Sequence, residues 1–269
     1  MSFLPSAPLI YTLAVVKFPR IPEIERFTDK FFSVIRSAYP HDEKANQATL
    51  SAELGQNGLI VKQETKVVWQ YLSVNKDCGF ILAEDFISFH TNNYLGSTKF
   101  LERFKFGLSR LHSIPELALE YVTGMGIRYL DLIAPQNGEP LSKYLAEWVL
   151  PRESPIEGIK ILEGAYIAKY KTDMGHLSFQ AIRNPQSLFP PDLQSAFLQK
   201  NGWVRERPQN GEFAIVDTDH FSELASTHAF DVDWIIKRID ELHLIPKNVF
   251  ASFGTEEAKK LWSRPNAKQ

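Results

Sequence analysis

The chain has 269 residues, 44% hydrophobic and 23% charged, with 30 basic and 32 acidic side chains and a formal net charge of -2. That length supports a large core, and the balance is that of a soluble globular protein. A sequence pI near 6.4 disfavours nucleic-acid backbone binding, and the single cysteine, Cys78, excludes an intramolecular disulfide and a cysteine-based zinc site.

Met1 to Phe18 is apolar but broken by Pro5 and Pro8, and it lacks the basic run and small-residue cleavage site of a secretory signal. No run approaches the roughly 18 apolar residues that a membrane span needs. The expectation is a cytoplasmic protein without membrane association.

Leu9 to Phe18 reads as a first strand ending at Pro19. Pro22 then opens a helix carrying Ile24, Phe27, Phe31, Val34, Ile35 and Ala38 at helical spacing, stopped by Pro40. Ala48 to Leu54 and Lys66 to Val74 read as strands, Asn75 to Asp77 as a turn, and Phe80 to Leu82 and Phe86 to His90 as short strands. Ser97 is the expected N-cap of a helix carrying Phe100, Leu101, Phe104, Leu108 and Leu111, with Pro115 beyond it. Gly126 to Ile133 is another strand, followed by a turn over Pro135 to Pro140 and a helix carrying Leu141, Tyr144, Leu145 and Trp148.

Pro151 to Gly164 is turn-rich and reads as a linker. Ala165 to Lys171 and His176 to Arg183 form a hairpin. Asn184 to Gly211 reads as a long loop with a short helix at most. Phe213 to Asp217 is a strand. Asp231 and Asp233 open a helix of Val232, Ile235, Ile236, Ile239 and Leu242. A last helix begins near Thr255 with Ala258, Leu261 and Trp262, and the tail from Pro265 reads as frayed.

The phrases Leu111-His112-Ser113-Ile114-Pro115 and Leu242-His243-Leu244-Ile245-Pro246 each close one of these helices. The repeat implies an α+β protein of two similar lobes, 1–150 and 151–269. Each would be a mixed or antiparallel sheet backed by helices, with a split βαβ, ferredoxin-like flavour.

Four residues stand out as candidate ligand-binding groups. Arg128 lies in mid-strand, where a buried guanidinium needs an anion from a protein carboxylate or from a ligand. His90 and Tyr94 bracket the polar cluster His90-Thr91-Asn92-Asn93-Tyr94, which also has the composition of Asx turns and a cap. Asp217-Thr218-Asp219-His220 is the most metal-like string. On a strand, however, Asp217 and Asp219 face one way and Thr218 and His220 the other, so no metal is assigned and Asp219 is kept as a ligand candidate. His112 and His243 fit helix C-termini, where the dipole favours an imidazole. Cys78 has no neighbour in sequence to lower its pKa.

Several of these residues fall in a longer pattern. It runs through Ala7-Pro8, Trp69-x-x-Leu72-Ser73, Thr91…Tyr94, Ile127-Arg128-Tyr129-Leu130-Asp131-x-Ile133 and Val216-Asp217-x-Asp219, and ends at Leu242-His243…Phe250…Thr255. It resembles a sporadically distributed family of uncharacterised bacterial proteins of this size. The chain departs from the family at Asp131, where asparagine is expected, and at Ala7-Pro8, where no acidic residue follows. The resemblance implies no catalytic residue and no cofactor. Its patchy distribution implies accessory genes, including defence or toxin–antitoxin cassettes.

With no convergent catalytic set in the sequence, the first expectation is a non-enzymatic binding or interaction protein with a protein partner, no cofactor and no nucleic acid. The alternative is an enzyme or small-anion-binding protein with a site between the lobes, in which Arg128 clamps an anion beside His90, Tyr94 and Asp219.

Overall fold

The computed structural model describes residue 4 and residues 6–55, 58–136, 138–193 and 207–264, with the backbone alone over 47–65. The expected tail from Pro265, the middle of the Asn184–Gly211 loop and the side chains of the Ala48–Leu54 strand lie outside it. Nine described strands form a single antiparallel sheet in the order β2-β3-β4-β5-β1-β6-β9-β8-β7. They are β1 (Leu9–Lys17), β2 (His41–Gly55), β3 (Gly58–Leu72), β4 (Cys78–Leu82), β5 (Phe86–Thr91), β6 (Tyr121–Ile133), β7 (Gly164–Thr172), β8 (Gly175–Arg183) and β9 (Ala214–Ala229). The helices are α1 (Glu25–Ile35), α2 (Ser97–His112), α3 (Val232–Phe253) and α4 (Glu256–Trp262).

Period-two alternation gives the sheet two different faces. On one, Ala14, Val16, Phe80, Phe89, Met125 and Ile127 pack against Phe31 and Ile35 of α1, Phe104 and Leu108 of α2, and Ile235 and Ile239 of α3. Further along the same face, Phe179, Ala181, Ala214 and Val216 meet Phe253, Ala258 and Trp262. Gly107 lets α2 approach closely, because a Cβ there would lie 2.1 Å from the Phe80 ring. On the other face Ile10, Tyr11, Leu130 and Ile215 pack under Leu188, Phe189, Leu193 and Phe213.

The chain is α+β, as its alternation of elements predicts. The expected lobes do not have separate sheets: β6 pairs with β1 on one side and β9 on the other. Residues before and after position 150 therefore share one sheet. Strand periodicity reports which face is buried and leaves open which edges join, and here the leading strands of the two halves join each other. In each half the leading strand, β1 or β6, pairs with the last strand of the following meander, β5 or β9. The helix bearing the repeated phrase, α2 or α3, then follows.

Three local expectations change. The helix expected from Leu141 to Trp148 is a pair of 3₁₀ turns, Leu141–Lys143 and Glu147–Val149. The backbone between them is engaged elsewhere, because the Ala146 N–H donates to Phe253 O and Tyr144 O accepts from Thr255 N. The N-cap of α2 is Gly96, with φ of 101°, a conformation glycine adopts without strain; Ser97 becomes the first helical residue. Finally, α3 does not end at Leu242 but continues to Phe253 with Pro246 inside it.

Candidate ligand-binding cavity

The central strand β6 separates two kinds of chemistry. Consecutive residues point to opposite faces, so Arg128 and Tyr129 serve different sites although they are neighbours in sequence.

On the face away from the helices, Arg128 has internal partners. Its Nε donates to Asp217 Oδ1 at 2.8 Å and its Nη2 to Asp217 Oδ2 at 2.6 Å, while Nη1 donates to Asp192. This is a bidentate, charge-assisted pair. Asp219 stands opposite Arg128 in the β6–β9 register. Burial pushes its carboxyl up to about 6, with Arg128 opposing the shift. His90, also on this face, is fully buried. Its Nδ1 bonds the Tyr11 hydroxyl at 3.2 Å and its Nε2 bonds Gln70 Nε2 at 3.0 Å. Burial lowers its pKa to about 3, so this imidazole is neutral.

On the helical face lies a cavity of about 560 Å³ between β6, the start of α2 and the second half of α3. Its apolar walls include Leu9, Leu95, Pro246 and Phe250, and its polar lining includes Tyr94, Ser97, Tyr129, Asp131, Thr218 and His243. The Tyr129 hydroxyl and His243 Nδ1 are 2.6 Å apart. The Tyr94 ring meets the Tyr129 ring edge-on, with centroids 6.0 Å apart. The backbone N–H groups at the start of α2 have no side-chain cap.

Asp131 lies two residues beyond Tyr129 on the same strand face and is 2% exposed. Its Oδ1 is buried without a hydrogen-bond partner. Burial, helped by the charge of Asp217, pushes this carboxyl up to about 8. At neutral pH it is a carboxylic acid that can donate a hydrogen bond into the cavity. Burial lowers the His243 pKa, which keeps the imidazole beside Tyr129 neutral. The polar end of the cavity therefore offers neutral donors and acceptors within apolar walls, a lining suited to orienting a small molecule.

The four residues expected to form a site are thus divided by the sheet. His90, Arg128 and Asp219 share the face away from the helices, but Arg128 is engaged by Asp217 and Asp192, and His90 by Tyr11 and Gln70. Of the four, Tyr94 lines the cavity. The alternation expected for Asp217 to His220 is present: Asp217 meets Arg128, while His220 on the opposite face bonds α3. His112 ends α2, but His243 lies within α3 and bonds Tyr129. Cys78 is buried next to Arg103, with its pKa raised by that burial. Sequence reasoning missed Tyr129, Asp131 and His243 as a set. The available signal was the Tyr129–Asp131 pair, two residues apart on a strand whose opposite face had to hold Arg128. No family model matches the chain, and no curated protein matches it.

Proposed function

We propose that the chain is a small-molecule binding protein whose site lies between its two halves. Tyr94, Ser97, Tyr129 and Asp131 come from before position 150, and Thr218, His243, Pro246 and Phe250 from after it. The observation that carries this reading is Asp131, a buried carboxyl that lines the cavity and whose Oδ1 has no hydrogen-bond partner in the protein. The matching order of strands and the repeated phrase support reading the halves as two similar lobes, with the ligand at their junction.

N-phenyl-1-naphthylamine, a neutral apolar fluorophore, tests the reading. One molecule is expected to bind per chain with enhanced fluorescence. Ala7→Trp, placed in the cavity wall, is expected to remove that binding without lowering the melting temperature. Failure of the wild type to bind the dye, or equal binding by the variant, overturns the reading.

A second reading, binding to a protein partner as in a bacterial defence or toxin–antitoxin cassette, has its support elsewhere. Ile156, Ile159, Leu162 and Ile167 are more than half exposed beside β7, which ends the order of described strands. An edge strand with apolar neighbours suits strand addition by a partner. Leu162→Lys with Ile167→Lys is expected to abolish co-purification of a stoichiometric partner from the native host; an unchanged complex counts against this reading.

A further inference from the structure

We propose that the cavity takes an organic acid: its anionic headgroup sits on the amide N–H groups that open α2, and its apolar body carries an oxygen that bonds Asp131. This rests on the ligand-binding reading above and names the class of ligand.

Two independent observations meet here. The first is the helix start. α2 has sixteen residues, its first turn holds no acidic side chain, and its cap residue is Gly96, which contributes no side-chain acceptor. The first N–H groups of a helix have no partner within it and carry about half a unit of positive charge. Gly96, Ser97, Thr98 and Lys99 all line the cavity, and so does Lys247 from α3. Glu102 lines it too, but one turn further along α2, where its side chain is exposed to solvent. Amide donors backed by two ammonium groups favour an anion.

The second observation is Asp131, buried, lining the same cavity, with one carboxyl oxygen unsatisfied. An aliphatic or aromatic body filling the space between Leu9, Leu95, Pro246 and Phe250 brings a hydroxyl or carbonyl group against the Asp131 carboxyl, which lines the same space. Tyr94 lines the same cavity. The whole arrangement fits a molecule anionic at one end, apolar along its length and singly oxygenated on its body.

The test compares 11-(dansylamino)undecanoic acid with its methyl ester, which has the same body and no charge. The acid is expected to bind at least tenfold more tightly. Thr98→Asp places a carboxylate where the ligand's own would sit and suits a helix start. It is expected to weaken the acid at least tenfold and to weaken the ester and N-phenyl-1-naphthylamine far less. Lys99→Gln is expected to weaken the acid several-fold on the same pattern. If acid and ester bind the wild type equally while the neutral dye still binds, the anion assignment falls and the cavity's role as a binding site stands. A preference for the acid that survives Thr98→Asp overturns the assignment as well. If the neutral dye does not bind, both readings fall.

Discussion

His220 Nδ1 lies 2.8 Å from the carbonyl oxygen of Leu242, the acceptor that Pro246, four residues on, leaves without an intrahelical donor. Proline has no N–H, so its presence inside α3 costs one helix bond. The imidazole of β9 supplies the missing donor from outside the helix. Its Nδ1 therefore carries the proton, and its Nε2 accepts from Thr172 Oγ1 at 2.9 Å. This contact lets the helix run past Pro246 and build the far wall of the cavity.

The contact predicts a non-additive pair of substitutions. His220→Phe is expected to cost about 1–3 kcal/mol, because it leaves the Leu242 carbonyl unpaired. In a Pro246→Ala background the new N–H at 246 can take that carbonyl, so the same substitution should cost measurably less. Urea denaturation of the four proteins in the cycle gives the coupling. Strict additivity would show that His220 does not replace the proline's missing bond.

Asp131 sets a pH dependence of one sign. Its folded pKa of about 8 stands well above the unfolded value near 3.9. Between those values the folded chain holds a proton that the unfolded chain releases, so stability falls as pH rises through that window. Asp131→Asn removes the effect. It is expected to stabilise by up to about 5 kcal/mol above pH 8, with the gain vanishing below about pH 4. Denaturation curves at pH 4, 6.5 and 9 read this directly, and a gain independent of pH would contradict the burial of an ionisable group here.

The histidines act in the opposite direction. His90 is held down to about 3 by burial, and burial lowers His220 and His243 as well. Below the unfolded value near 6.5 the unfolded chain gains protons that the folded chain refuses, so stability is lost as pH falls. Each such histidine contributes up to about 1.4 kcal/mol per pH unit until its folded pKa is reached. His90→Gln is expected to flatten the slope between pH 6 and pH 4 by about one histidine's worth. An unchanged slope would remove His90 from this account.

The Arg128–Asp217 pair predicts a contrast between breaking and replacing. Asp217→Asn leaves the buried guanidinium with the largely exposed Asp192 as its remaining carboxylate partner and is expected to cost about 3 kcal/mol, whereas Arg128→Met with Asp217→Leu should cost far less. Asp192→Ala should also be mild, because the Asp192 side chain is 54% exposed against 4% for Asp217, and exposed ion pairs contribute little. Thermal melts of the three variants establish the order. Equal losses in all three would argue against the buried pair as the dominant contact.

Much of the strand layout was legible, because Val, Ile and Phe alternation marks β1, β5 and β6, and Asp231 and Thr255 cap their helices as their residue types predict. The opposite faces of Asp217 and His220 were legible for the same reason. Ser97 was misassigned as a cap because Gly96 supplies the turn through a backbone conformation that composition does not reveal. The end of α3 was misplaced because the helix accommodates Pro246, whose freed Leu242 carbonyl meets His220 from a distant strand. The cavity was invisible for a related reason: its lining joins three elements brought together by sheet pairing, and Asp131 reads in one dimension as an ordinary strand acid.

The place of β6 in the sheet bears on how the chain is made. β1 is synthesised first yet has β6 as a neighbour, and β6 in turn awaits β9, which is complete only at Ala229. On a ribosome the middle of the sheet therefore keeps an open edge until most of the polypeptide has emerged. Pairings so distant in sequence fold slowly, and unpaired edges of this kind are where nascent chains associate wrongly.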